Sequence, residues 1–157
     1  MNLDNTPCTR PPEDWGLDPI FWVSAKLFIG DLLLAIPSDL TSVYFIGNQH
    51  IVRGVEIVGI VVSVNTRSLK LTVYHIDDGT GIILCAEFTT PEEQSDPETR
   101  YSHPLGDTVV VEGRLSDFRD ERQVVIRSIK SIDPNQETLG WLERLALRDY
   151  LASPFNN

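Results

Sequence analysis

Between Gly54 and Ile132 the chain is dominated by short runs of β-branched residues, and on either side of that block the apolar residues fall at helical spacing. The first flank, "DPIFWVSAKLFIGDLLLAI", opens with Asp18 at an N-cap position and Pro19 at the first helical position. This predicts a helix running to about Ile36 and stopping before Pro37. Phe21, Trp22, Leu27, Phe28, Leu32, Leu33 and Ile36 cover most of its circumference, so the expected helix is buried on more than one side. A short strand "VYFIG", a turn at Gly47 and Asn48, and a return through "QHIV" follow.

The central block reads as strands. "VEIVGIVVSVNT" carries Gly59 in its middle, as a bulge or sharp bend requires. "SLKLTVYHI" alternates with inconsistent parity: Leu69, Leu71 and Val73 fall on one face, Tyr74 and Ile76 on the other, which predicts a β-bulge near Val73. "GIILCAEF" is a third strand, with Tyr74 and Cys85 read as core. "TTPEEQSDPETRYSHPLG" is a polar connection with room for a short helix, and "DTVVVEGRLSDF" and "RQVVIRSIKSI" form a hairpin across "RDE". The second flank repeats the Asp-Pro start at Asp133 and Pro134 and ends before Pro154. Five strands with a long break after the third, flanked by an N-terminal and a long C-terminal helix, predict a five-stranded Greek-key barrel, the OB-fold. A β-sandwich would need about seven strands.

Length and composition fit one folded unit. The 157 residues are 41% hydrophobic and 23% charged, enough for a core and too few for a second one. The expected division is a disordered lead over 1–14, one domain over 15–152 and a tail over 153–157. No secretory leader is evident, and the longest apolar segment is interrupted by Lys26 and Asp31 and falls short of the roughly 20 residues of a membrane span. Cys8 and Cys85 lack metal or disulfide spacing. A formal charge of −10 argues against binding nucleic acid by bulk attraction and restricts any such site to a local groove.

The stretch "VYHIDDGTG", residues 73–81, is where chemistry would enter if the chain were an enzyme. A metal needs three or four converging oxygens, and a phosphate-cradling loop needs a lysine and a hydroxyl residue after the last glycine. Neither pattern is present. Gly supplies positive φ and Asp bonds the backbone two residues on, so a tight hairpin accounts for every residue. A nuclease built on Asp77, Asp78 and Glu87 is the enzymatic alternative. His50, His75 and His103 lie in three separate segments and make no nucleophile–base arrangement. No catalysis, cofactor or metal is expected.

"VYHIDDGTG", following "VEIVGIVVSV" and preceding a strand that ends at Phe88, resembles the OB-fold of the middle subunit of replication protein A. With "WGLDPIFWVSAKLFIGDLL" ahead of it, the chain over about residues 15–152 looks like the start of the Stn-type subunit of CST, the complex that protects telomeres. The resemblance implies a nuclear protein at chromosome ends. It would pair with a small single-OB-fold subunit of CST through its C-terminal helix and help bind single-stranded telomeric DNA. The large CST subunit and polymerase α–primase are further implied partners. Members of the family continue into a C-terminal winged-helix region, so this chain looks like the N-terminal part of a longer protein. The alternative is a protein–protein scaffold with little DNA binding of its own.

The residues offer candidates for both roles. On "DTVVVEGRLSDF", Val109, Val111 and Leu115 take the core face, leaving Phe118 on a polar face at the hairpin mouth. Phe88 shares its face with Leu84 and Ala86. In the resemblance, Phe88 and Phe118 fall where the replication protein A subunit keeps two base-stacking aromatics. Arg119 and Arg122 flank the hairpin tip as phosphate contacts, with Arg67 and Lys70 next and His75 facing the same groove. The alternative is that these rings pack under loops and the cations are surface charge. The acidic stretch Glu87–Glu98 carries five acids and no base and would repel a DNA strand. The last helix carries more apolar residues than one buried stripe needs. Leu142, Leu145 and Tyr150 are the expected partner contacts, with Trp141 as anchor, unless the N-terminal helix covers that excess.

Overall fold

The computed structural model describes residues 3–90 and 103–156. In chain order, two 3-10 helices, Pro12–Leu17 and Pro19–Trp22, lead into β1 (Ser24–Lys26), α1 (Ile29–Leu34), β2 (Ile36–Pro37), β3 (Tyr44–Ile46) and β4 (His50–Val52). The barrel strands follow: β5 (Gly54–Ser68), β6 (Leu71–Asp77), β7 (Ile82–Phe88), β8 (Thr108–Phe118) and β9 (Glu121–Ser131). The helix α2 (Pro134–Ala152) closes the chain. The strands run in the order β1-β5-β6-β7-β9-β8, and β5 also pairs with β8, which closes β5–β9 into the expected OB-fold barrel. The one parallel contact inside that barrel, β7 with β9, marks the Greek-key crossing.

β5 makes closure possible. Gly54–Ile60 pair with β8 and Ile60–Ser68 with β6, so the strand must bend between its two partners. Gly59 sits at the changeover, where a Cβ would lie 2.6 Å from the Asp77 carbonyl oxygen. Register shifts at Val61/Ser63 and Thr66/Ser68 add further coil. The bulge expected near Val73 is therefore on the opposite strand. The parity of β6 has another cause, since both its faces are covered. Tyr74 and Ile76 point into the main core with Ile57, Ile83, Cys85, Val111, Leu115 and Val124. Val73 packs on the outside with Leu84, Ala86 and Leu71. Burial pushes the Cys85 thiol well above its ordinary value, as for an inert core residue.

The single N-terminal helix expected over 19–36 is three elements. Asp18 does cap, accepting from the Ile20 amide at 3.2 Å, but only a 3-10 turn follows. The backbone then extends at Val23, and β1 pairs in parallel with Gly54–Glu56 before α1 begins. The apolar residues run all round because each short piece buries a different side. Trp22, Val23, Leu33 and Leu34 stay exposed, Trp22 the most at 66%. The start of α1 sits on the "DDGTG" turn: Asp78 accepts from the Ile29 amide at 2.8 Å and Thr80 Oγ1 from the Gly30 amide at 2.9 Å. Asp78 also accepts from the Thr80 amide and Asp77 from the Gly79 amide. The stretch is a capping turn whose carboxylates are spent on backbone donors.

Residues 3–14, within the expected disordered lead, lie along the β3–β4 turn. The Thr6 amide donates to Gly47 O at 2.9 Å, and Gln49 Oε1 accepts from Thr9 Oγ1 at 2.8 Å. The β8–β9 turn is Arg119–Asp120, both with positive φ, and Glu121 already pairs with Phe118, so the loop is one residue shorter than "RDE". The Asp133-Pro134 start of α2 forms as expected, with Asp133 accepting from the Asn135 amide. The short helix allowed in the connection, and most of the acidic stretch, lie outside the described residues.

Gly59→Ala forces a Cβ against backbone that cannot yield cheaply, so unfolding free energy should fall by roughly 1–3 kcal/mol in urea melts. Unchanged stability would mean that β5 bends elsewhere.

Candidate nucleic-acid interface and partner face

β6 and β7 present one outer face, on which Leu71 is opposite Phe88, Val73 opposite Ala86, His75 opposite Leu84 and Asp77 opposite Ile82. Phe88 stands at one end, 62% exposed. It is held near the β5–β6 turn because the next residue, Thr89, bonds back to it: its amide donates to Lys70 O and its hydroxyl to Leu69 O, each at 2.9 Å. Arg67 and Lys70 on that turn are exposed and have no acidic partner among the described residues. Phe118 stands at the other end, 57% exposed, with the Arg119 guanidinium 5.2 Å from its ring centre. Leu84 is opposite Gln123 and Phe118 opposite Glu121, which puts Phe118 level with Ile82. At about 3.3 Å per residue, the six residues from Ile82 to Phe88 separate the two rings by roughly 20 Å along the sheet. The rings bracket the face instead of sharing a base. His75 lies between them, its Nδ1 buried with no hydrogen-bond partner among the described residues.

Arg122 is corrected. Its Nη1 donates to the carbonyls of Leu32 and Ala35 at 2.8 Å each, its Nε and Nη2 donate to Asp117, and its guanidinium lies 4.6 Å from the Tyr44 ring centre. The Leu32 carbonyl also accepts from the Ala35 amide at 3.3 Å, and Arg122 adds a second donor there and one at the Ala35 carbonyl, bracing the end of the six-residue α1. It is a structural clamp with little left for a phosphate. Burial, then the Asp117 charge, push the Tyr44 phenol up to about 12.

α2 lies on the barrel through Gly140, Arg144, Leu147 and Leu151. Arg144 is 2% exposed, and its guanidinium donates to the carbonyls of Leu27, Glu56 and Gly140 at 2.9–3.1 Å. Burial lowers its pKa against the attraction of Glu56. Arg148 pairs with Asp31 of α1 at 2.8 Å, and Lys26 pairs with Glu143. Turned away from these contacts, Leu139, Leu142, Leu145 and Ala146 form an exposed stripe, Leu142 at 60%. Trp141 packs edge-on against Phe28, with ring centres 4.7 Å apart, and keeps one side in solvent. Tyr150 is partly committed elsewhere.

That commitment is a buried polar latch that no spacing along the chain announces. Asp18 and His50 are both fully buried, with Nδ1 2.6 Å from Oδ2. His50 Nε2 is 2.7 Å from Ser153 O. Both ring nitrogens face oxygens that can accept. Tyr150 donates to Asp18 Oδ1 at 2.9 Å, and its ring lies 4.7 Å from that of His50. The latch ties the first 3-10 turns to the end of α2. Burial pushes the Asp18 carboxyl up, but the bonds from His50 and Tyr150, the His50 charge and the Ile20 amide together leave it below the ordinary value.

Among the described residues no group of three or more His, Cys, Asp or Glu side chains gathers as a metal would need. No helix there is long and apolar enough to cross a membrane.

The family model described as telomere regulation protein Stn1 matches residues 29–157. The mouse CST complex subunit STN1 is 31% identical over 148 residues, covering 78% of this chain and 39% of the mouse protein. The chain thus spans about two fifths of the length of such relatives. The crystal structure of the S. pombe Stn1–Ten1 complex superposes with a TM-score of 0.73 at 22% identity, covering 83% of this chain and 94% of that one. A replication protein A heterotrimer bound to single-stranded DNA superposes with a TM-score of 0.68 at 21% identity, covering 83% and 99%. These structural likenesses bear out the fold.

The folded-state carboxyl of Asp18 lies below its ordinary 3.8, so its stabilisation is complete above that pH and is lost as pH falls further through the folded value. Asp18→Asn removes the buried carboxylate that His50, Tyr150 and the Ile20 amide share and should cost roughly 3–5 kcal/mol at pH 7, with the gap to wild type narrowing below about pH 4 in denaturant melts. A gap that stays constant from pH 7 to pH 3 would remove the linkage.

Proposed function

The chain belongs to the Stn1 family of telomere regulation proteins, and from that premise we propose that this domain pairs with a small OB-fold partner through α2 and helps hold single-stranded telomeric DNA. Its place would be the chromosome end, in the nucleus, as part of a CST complex whose large subunit and polymerase α–primase are further partners. The observation that carries the reading is the leucine stripe of α2. A helix fixed on one face by Arg144, Leu147 and Leu151 leaves Leu139, Leu142 and Leu145 in solvent. Such a row at helical spacing is what a partner helix packs against. Trp141 at its edge, braced on Phe28, serves as anchor, and the exposed part of Tyr150 extends the contact.

DNA would lie on the outer face of β6 and β7, with bases on Phe88 and Phe118 and phosphates at Arg67, Lys70 and Arg119. His75 would meet the strand midway. Rings for bases and cations for phosphates are the two ingredients of such sites. The net charge of −10 favours a second reading, in which the domain is chiefly a scaffold and other subunits hold the DNA.

Leu142→Glu with Leu145→Glu should leave the isolated chain folded and abolish its heterodimer with the small partner in sedimentation; a heterodimer that survives would move the interface off α2. Fluorescent telomere-like single-stranded DNA, titrated with and without the partner, separates the two readings. Phe88→Ala with Phe118→Ala should cost about 1–3 kcal/mol per lost stack while the heterodimer persists. Unchanged binding would leave the scaffold reading.

A further inference from the structure

A second cationic cleft lies on the barrel, next to the Phe88 end of the proposed DNA face. The cross-strand row Ala86, Val125, Arg114 and Gly54 leads from β7 over β9 and β8 to the start of β5. A cavity of about 570 Å³ opens at the far end of that row. Gly54, with no side chain, keeps its lining low beside Val23 and Ser24, and Phe21 and Trp22 wall one side. Three arginines line it, and no carboxylate does, in a chain of charge −10.

The groups are held in place and left open. Arg53 Nε donates to Phe21 O at 3.2 Å, and its guanidinium lies 4.1 Å from the Phe21 ring centre and 5.0 Å from that of Trp22. Arg114 touches Ser42 Oγ at 3.2 Å. Neither arginine has an acidic partner among the described residues. Arg127 is anchored between Glu112 at 2.7 Å and Ser24. Trp22 is fixed by its Nε1 donating to Gly16 O at 2.7 Å and by an edge contact with Phe21, yet stays 66% exposed.

We infer that this cleft is a second nucleotide station for a single strand, with an unpaired base on Trp22 and phosphates at Arg53 and Arg114; it rests on the reading that the strand lies on the β6–β7 face. An immobilised, bare indole beside a guanidinium suits a planar base. An acidic peptide would use the arginines and leave the indole idle. Ala86, two residues before Phe88, starts the cross-strand row that leads to the cleft, so a strand leaving that ring has a short path to it.

The test compares fluorescent single strands of about 4 and about 12 nucleotides, the span of OB-fold site sizes, on the 157-residue chain. Trp22→Ala and Arg114→Ala should each weaken the longer strand about tenfold and leave the shorter one unchanged. Arg53→Ala with Arg114→Ala should lower its salt slope by roughly 1.4. Among the described residues the Arg114 side chain makes a single hydrogen bond, to Ser42, so Arg114→Ala stands as the folded variant if Arg53→Ala unfolds. Equal binding of the longer strand by all variants overturns the station, as does wild type that binds both lengths alike or binds neither. Displacement of the strand by a polyglutamate peptide at equal ionic strength also overturns it, in favour of an acidic-peptide site. If Phe88→Ala with Phe118→Ala changes nothing while the cleft variants weaken the longer strand, the β6–β7 reading falls and the cleft stands alone.

Discussion

One strand must serve two neighbours. β5 pairs along half its length with β8 and along the other half with β6, and the barrel exists only because the strand bends at Gly59 and gains extra residues around Val62 and Arg67. Inside the closed barrel Ile57, Ile76, Ile83, Val111, Leu115 and Val124 are removed from water, each contributing roughly 1.5–3 kcal/mol. Outside it, the same curvature leaves β6 and β7 as a shallow face bounded by two turns. The Arg67–Lys70 turn exists because β5 is long enough to pass beyond β8, and the Phe118–Glu121 turn because β8 and β9 are equally long. The geometry of the face thus follows from the length and curvature of β5.

The position of α2 rests on buried polar groups, which is unusual enough to need an energetic reason. A buried guanidinium or ion pair costs several kcal/mol in desolvation and is tolerated only when its hydrogen bonds are complete. Arg144 meets that condition with three carbonyls from three segments, and the Asp18–His50 pair meets it with Tyr150, the Ile20 amide and Ser153 O. Apolar packing alone would let the helix roll about its axis, because leucines occur all round it. Directional bonds at Arg144 and at the latch remove that freedom. They decide which leucines face the barrel and which face solvent.

The same distinction explains what could be read in advance. The β block, the tight "DDGTG" turn, the Asp133-Pro134 start and the outward aromatic at Phe118 are local patterns with local causes, and each formed as read; that the turn also caps α1, some 50 residues earlier, was not legible. The helix expected over 19–36 did not form as one piece, because an aspartate caps a 3-10 turn as well as an α-helix and apolar density does not reveal that its burial is divided among three neighbours. Arg122 read as a free cation because nothing nearby in sequence announces that the carbonyls of Leu32 and Ala35, some 90 residues earlier, come to meet it. His50 lies 32 residues from Asp18 and 103 from Ser153, so their meeting is a product of the fold alone. The outer face of β6 and β7 was legible by alternation, and the cleft around Trp22 was hidden by placing that residue in a buried helix.

Charge decides how such a surface can work. At physiological ionic strength charges more than about 8 Å apart in solvent are largely screened. The two turns, roughly 20 Å apart, therefore act separately: Arg67 and Lys70 make one a positive spot, whereas at the other Arg119 stands beside Asp120 and Glu121. A domain of net charge −10 with isolated cations does not draw a polyanion from a distance; it holds one that has already been delivered. On the proposed reading, delivery falls to the partner on α2. Binding of the strand by one subunit raises its effective concentration at the other to the millimolar range for a short connection, enough for weak stacking contacts to be occupied. The leucine stripe and the aromatic face are then two halves of one device, and the buried bonds that orient α2 set the distance between them.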